Sequence, residues 1–165
     1  MRKAYVMAVV CSVLATASSL NAQQAGQKMW DGNHSEMAAQ HQEMLSLQEA
    51  AIKAATDAQQ LAQASPLDQA AVQKDATTAQ NNLQVIVKHL LDAEQHATGA
   101  DKEHIEAVRA HEQEALKHAD ELLAEAQKDA PQSAAVAAHA QGVLTHAQAA
   151  SKVMAEAHKG SMQHN

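Results

Sequence analysis

Eleven histidines punctuate the chain, at positions 34, 41, 89, 96, 104, 111, 118, 139, 146, 158 and 164. Five pairs stand seven residues apart: His34/His41, His89/His96, His104/His111, His111/His118 and His139/His146. Random placement would give about one such pair, so the spacing marks a repeated helical face. Imidazole, alone or with carboxylate, is a ligand for Cu(II), Ni(II) and Zn(II), which makes metal coordination the first chemistry to consider. Two histidines seven apart on a helix are separated by about 10.5 Å along its axis, too far to share one ion. A shared site therefore needs a ligand from the intermediate turn or from a neighbouring helix. His89-x-x-Asp92-x-x-x-His96 and His111-x-x-Glu114-x-x-x-His118 place a carboxylate within a turn of either ring. His34-x-x-Met37-x-x-x-His41 has the same form with a thioether. His104/His111 has Ala107 between its members and His139/His146 has Gly142, so those pairs depend on neighbouring helices.

Methionine extends the ligand set. Beyond the first 22 residues, all five methionines (29, 37, 44, 154 and 162) lie near the two termini. With helices running up and down, one end of a bundle would gather His34, Met37, His41, Met44, His89, His96, His104, His111, Met154, His158 and Met162. Thioether plus imidazole suits Cu(I). Each residue also has a plainer reading. Met37, Met44 and Met154 sit on apolar stripes, where filling the core is the simpler role. Asp92 and Glu114 read equally as solvated helix acids or partners of protonated histidine. Boundary histidines flank many bundles as hydrated polar residues.

The elements that must carry these residues are helices. From His34 onward Ala, Gln, Glu, Leu and Lys dominate, all strong helix formers. The breakers are Ser65-Pro66, Thr98-Gly99, Pro131 and Gly160, which predict helices over about 34–64, 66–97, 101–129 and 131–158. Ser65, Pro66 and Asp68 read as N-cap, first-turn proline and capping acid. Thr98 with Asp101 repeats that pattern, and Asp129 before Pro131 is a further candidate cap. In the second helix Val72, Ala76, Ala79, Leu83, Ile86, Leu90, Ala93 and Ala97 alternate at spacings of four and three. Ile105, Val108, Ala115, Ala119, Leu122 and Ala126 do so in the third, with Glu112 interrupting one core position. Val136, Ala140, Val143, Ala147, Ala150, Met154 and Ala157 continue the seam in the fourth. The first helix is less clear, because Met37, Met44, Leu47, Ala51, Ala58 and Leu61 compete with other registers. Short connections between heptad-bearing helices predict an all-α fold, an antiparallel up-down four-helix bundle. Against this seam His89, His96, His104, His111, His118, His139 and His146 all precede a core position. They lie at the boundary of core and solvent, where a side chain reaches the next helix.

Composition narrows the function further. Residues 1–22 combine Arg2 and Lys3 with an apolar run from Ala4 to Leu20 and a small residue at Ala22, the form of an export signal. Residues 23–33 then read as a leader, 34–160 as the helical metal-binding bundle and 161–165 as a tail. Removing the signal takes away Cys11 and two cations, leaving 10 Lys+Arg against 19 Asp+Glu and no thiol. A disulfide framework, a Cys-based zinc site and a Cys nucleophile are then excluded. An acidic chain whose aromatics past the signal reduce to Trp30 lacks the basic patch and stacking platforms of nucleic-acid binders. Soluble, periplasmic and free of the membrane once the signal is cleaved is the expected state.

The residues resemble the small metal-binding protein family of ammonia-oxidising bacteria, exported helical proteins made of histidine-bearing heptads. The likeness rests on Val87 to Ala97 (VKHLLDAEQHA), Glu106 to Ala119 (EAVRAHEQEALKHA) and Leu144 to Ser151 (LTHAQAAS), within about residues 81–160. It implies binding of copper and other divalent ions in the periplasm, for sequestration or homeostasis, through His89, His96, His104, His111, His118, His139 and His146. This chain departs from the pattern in having fewer histidines, an acid-poor fourth helix and an additional Met- and His-bearing first helix.

The expected function is a non-enzymatic metal buffer or carrier, with copper first and nickel or zinc as alternatives. We expect a monomer whose ligands are metal ions, exchanged with a delivery partner the sequence does not identify. The alternative is a non-catalytic helical interaction module or chaperone with pH-responsive histidines. A haem-binding bundle, with Met37 or Met44 and His158 as axial ligands, has no Cys-x-x-Cys-His motif to support it. A di-iron enzyme would want Glu-x-x-His on two helices, and only Asp31-x-x-His34 and Asp101-x-x-His104 occur. His-Glu-x-x-His is absent too, since His111-Glu112-Gln113-Glu114 is followed by Ala115.

Overall fold

The computed structural model describes the backbone of residues 34–162 and the side chains of residues 40–156. The expected signal and leader lie outside them. The described residues form four α-helices and no strand: α1 (His34–Leu61), α2 (Gln69–His96), α3 (Gly99–Ala126) and α4 (Ser133–Met162). The chain divides after Ala38, and the bundle is the unit that begins at Ala39. No helix among the described residues is long and apolar enough to cross a membrane.

The helices pack as an up-down four-helix bundle, and the composition of the core shows the alternation. One cluster joins Ala58 and Ala62 late in α1 to Val72 and Ala76 early in α2. It continues through Leu122 and Ala126 late in α3 to Val136 and Ala140 early in α4. The other cluster holds Ala51, Ala54 and Ala55 with Leu83, Ile86, Leu90, Val108, Val143, Leu144 and Ala147. The heptad seam is buried over Val72 to Leu90, Val108 to Ala126 and Val136 to Ala150, whereas Ala93, Ala97, Ile105 and Met154 at the other end of the bundle are half-buried. In α1 the stripe is Gln48, Ala51, Ala54, Ala55, Ala58 and Ala62, while Leu47 and Leu61 are only half-buried. Among the described residues, thirteen of the 23 buried hydrophobic ones are alanine, so the helices approach closely but remove little apolar area from water.

The helix ends correct three expectations. Ser65 and Pro66 do not open α2. They lie in the connection, and Asp68 is the N-cap, its carboxylate accepting the Ala71 N–H at 3.0 Å. Thr98 is the N-cap residue of α3 but makes no side-chain capping bond, and Gly99 follows it at φ +59°, a left-handed conformation suited to glycine. The acid serving the start of α4 is Glu125, not Asp129: Glu125 Oε1 accepts the Gln132 N–H at 2.8 Å. That backbone bond and the Lys128 ammonium hold the Glu125 carboxyl below the usual carboxylate range. A carboxylate there also complements the positive end of α4. Pro131 precedes the helix, which begins at Ser133.

Candidate metal centre

The facing edges of α3 and α4 carry a ladder of side chains in antiparallel register. Each step moves seven residues forward along α3 and seven back along α4. Just before α4, the Gln132 backbone N–H donates to Glu125 Oε1 at 2.8 Å. His118 faces His139 with ring centroids 6.3 Å apart, and His111 faces His146 at 6.1 Å. His104 donates from Nε2 to the Val153 carbonyl at 3.2 Å. His118 also stacks on His146, with centroids 5.6 Å apart and planes 23° apart, which joins two rungs. The heptad spacing causes this: in antiparallel helices, residues seven apart on one return opposite residues seven apart on the other.

At the His118/His139 rung the geometry converges on one point. Glu121, three residues beyond His118, places Oε2 3.1 Å from His118 Nδ1 and 3.1 Å from His139 Nδ1. The three ligand atoms lie within 4.8 Å of one another. Ligands about 2.1 Å from a tetrahedral ion sit about 3.4 Å apart, so the two nitrogen–oxygen separations already suit one ion. His118 Nδ1 lies within hydrogen-bond reach of the Glu121 carboxylate, an acceptor only. Coordination through the two Nδ1 atoms would require each to be free of its proton. The side chains of His118, Glu121 and His139 are 28%, 39% and 30% exposed, so the group is open to solvent. With three protein donors, an ion held here would leave its remaining coordination positions to water.

Gly142 stands on α4 between His139 and His146, beside the His118 ring. A Cβ there would lie 2.5 Å from His118 Cγ, 2.6 Å from Cδ2 and 2.7 Å from Nδ1.

Of the residues singled out by spacing, His104, His111, His118, His139 and His146 lie along the α3–α4 face, and His118 and His139 share a carboxylate. Their carboxylate is Glu121, which the sequence reading missed. His118-x-x-Glu121 has the same three-residue spacing as the Asp92 and Glu114 motifs, and that was the available signal. Glu114 is exposed, 3.8 Å from the Lys117 ammonium. On α2, His89 is half-buried while Asp92 and His96 are exposed. His41 is exposed on α1. Met44 and Met154 pack against the core cluster, the simpler of their two roles. The side chains of His34, Met37, His158 and Met162 lie outside the described residues.

A second polar group sits in the core itself. Glu112 is fully buried; Gln48 Nε2 donates to its Oε1 at 2.8 Å and to the Ala147 carbonyl at 2.9 Å. Oε2 has no hydrogen-bond partner. Burial pushes the carboxyl up to about 8, so it is mostly protonated at neutral pH.

No family model, curated protein or solved structure matches the chain.

Proposed function

We propose that this is an exported, periplasmic metal-binding protein that buffers, sequesters or carries copper and other divalent transition-metal ions. The observation that carries the reading is the convergence of His118, Glu121 and His139 from two helices on one point within 4.8 Å. Two imidazoles and a carboxylate form a donor set for Cu(II), Ni(II) or Zn(II), and Cu(II) heads the affinity order among these. Solvent exposure and an incomplete shell suit an ion that exchanges. They fit a buffer or carrier better than a closed structural site. The export signal expected in residues 1–22 and the resemblance to the small metal-binding proteins support the compartment and the preference for copper.

The test is calorimetric titration of the metal-free chain with Cu(II), Ni(II) and Zn(II), with native mass spectrometry counting bound ions. The expected result is binding at about pH 7.5 that weakens at about pH 5.5, because free imidazole becomes charged between them. His118→Ala and His139→Ala should each abolish one binding event. Variants that keep the full ion count and affinity would remove the basis of the reading.

A further inference from the structure

We propose that Gly142 is a positioning residue of this metal site: its missing side chain forms the slot that seats the His118 imidazole beside Glu121 and His139. The inference rests on the metal-binding reading and adds a residue that cannot itself ligate. Glycine inside a helix is unfavourable relative to alanine, and α4 is otherwise rich in alanine. Nothing in the backbone calls for glycine here, since Gly99 is the positive-φ glycine among the described residues. What distinguishes position 142 is its neighbour. A Cβ would come within 2.5 Å of His118 Cγ, closer than real Cβ contacts occur.

The identity of the crowded atom matters. Cγ is where the ring joins its side chain, so flipping the ring about χ2 does not move it away. Relief requires a turn about χ1, which carries the whole imidazole to another staggered position. That turn takes Nδ1 from its place 3.1 Å from Glu121 Oε2 and takes the ring off the His146 stack. Because His118 is partly exposed, solvent can receive the displaced ring. An alanine at 142 should therefore spare the bundle and damage the site. Close helix packing as the sole role of Gly142 predicts the reverse, a loss of stability.

The experiment compares the full wild-type chain with Gly142→Ala, and with Thr145→Ala as a helix-propensity control on the same helix. The readouts are Cu(II) affinity, the thermal midpoint of the metal-free chain, and nuclear Overhauser contacts of the His118 ring. We expect Gly142→Ala to lower the affinity of the His118-dependent event at least tenfold and to lose the His118–His146 ring contacts. Its metal-free midpoint should be no lower than wild type, and Thr145→Ala should bind within twofold of wild type. In a His118→Ala background, adding Gly142→Ala should leave the affinity of the remaining Cu(II) events within twofold. If the single variant folds poorly, the double variant should regain the thermal midpoint of His118→Ala, because removing the ring removes the clash. Retention of both the ring contacts and the affinity in Gly142→Ala would overturn the proposal, as would a further loss of affinity in the His118→Ala background. If wild-type binding is indifferent to His118→Ala and His139→Ala, the metal reading itself fails. The ring contacts of the metal-free chain still show separately whether Gly142 seats His118.

Discussion

Gln48 and Glu112 meet across the bundle, 64 residues apart in sequence, with Gln48 Nε2 donating to Glu112 Oε1 at 2.8 Å. One amide thereby joins α1 to α3 and, through the Ala147 carbonyl, to α4. In a core made largely of alanine, this polar contact links three helices where apolar area is scarce.

Its first consequence is a dependence of stability on pH. The folded chain holds the Glu112 proton up to about 8, against an ordinary value of 4.5 when unfolded. The stabilising contribution is therefore fully present below the unfolded value and is lost as pH rises through the folded one. Between the two, the slope attributable to this group approaches about 1.4 kcal/mol per pH unit. Urea unfolding of the metal-free chain at about pH 5 and about pH 8 should show the fall, and Glu112→Gln should flatten it. Equal slopes in the two proteins would show that Glu112 is not the group responsible.

The second consequence is non-additivity. Gln48→Leu leaves Glu112 without its donor, and Glu112→Leu leaves one Gln48 hydrogen without an acceptor. Each should cost about 1–3 kcal/mol, the penalty of a buried polar group losing its partner. The double variant should recover most of that loss, because two apolar side chains leave no such group. Denaturant midpoints of the four proteins measure the coupling; strictly additive losses would show that the two residues act separately.

These residues also mark where the sequence was legible. The breakers located four helices, and the four-three spacing of Val72 to Leu90 and of Val136 to Ala150 identified the buried stripes of α2 and α4. The stripe of α1 was obscured because Gln48 takes a core position and alanine fills the rest. Buried and exposed alanines look alike in a sequence, and a polar core residue carries no hydrophobic signal. At the candidate site, the seven-residue histidine spacing revealed the face but not its partner. Which rung His118 shares with His139 depends on the antiparallel register of α3 and α4, fixed by packing along both helices. Glu121 was within reach of the three-residue spacing rule; the space that Gly142 leaves for His118 exists only in three dimensions.

Helix initiation provides a test of the corrected α2 boundary. Asp68 accepts the Ala71 N–H, so Asp68→Ala should destabilise the bundle by about 1 kcal/mol. Ser65 is exposed in the connection, and Ser65→Ala should change stability by less than about 0.5 kcal/mol. Thermal or urea unfolding separates the two. A larger effect at Ser65 would restore it as the cap.

Glu121 and Glu114 provide the sharpest test of the metal site, because both acids follow a ladder histidine at the same three-residue spacing. Glu121 lies 3.1 Å from two imidazole nitrogens, whereas Glu114 lies 3.8 Å from a lysine ammonium. Changing either to glutamine preserves shape and removes one negative charge, so a general electrostatic effect on cation binding would be similar for both. Coordination predicts a difference. Glu121→Gln should weaken the His118-dependent Cu(II) event about tenfold or more, since loss of an outer-shell partner alone often costs that much. Glu114→Gln should remain within about twofold, as expected for an exposed acid paired on the surface. Equal effects of the two substitutions in the same titration would mean that net charge, not the His118–Glu121–His139 geometry, governs binding.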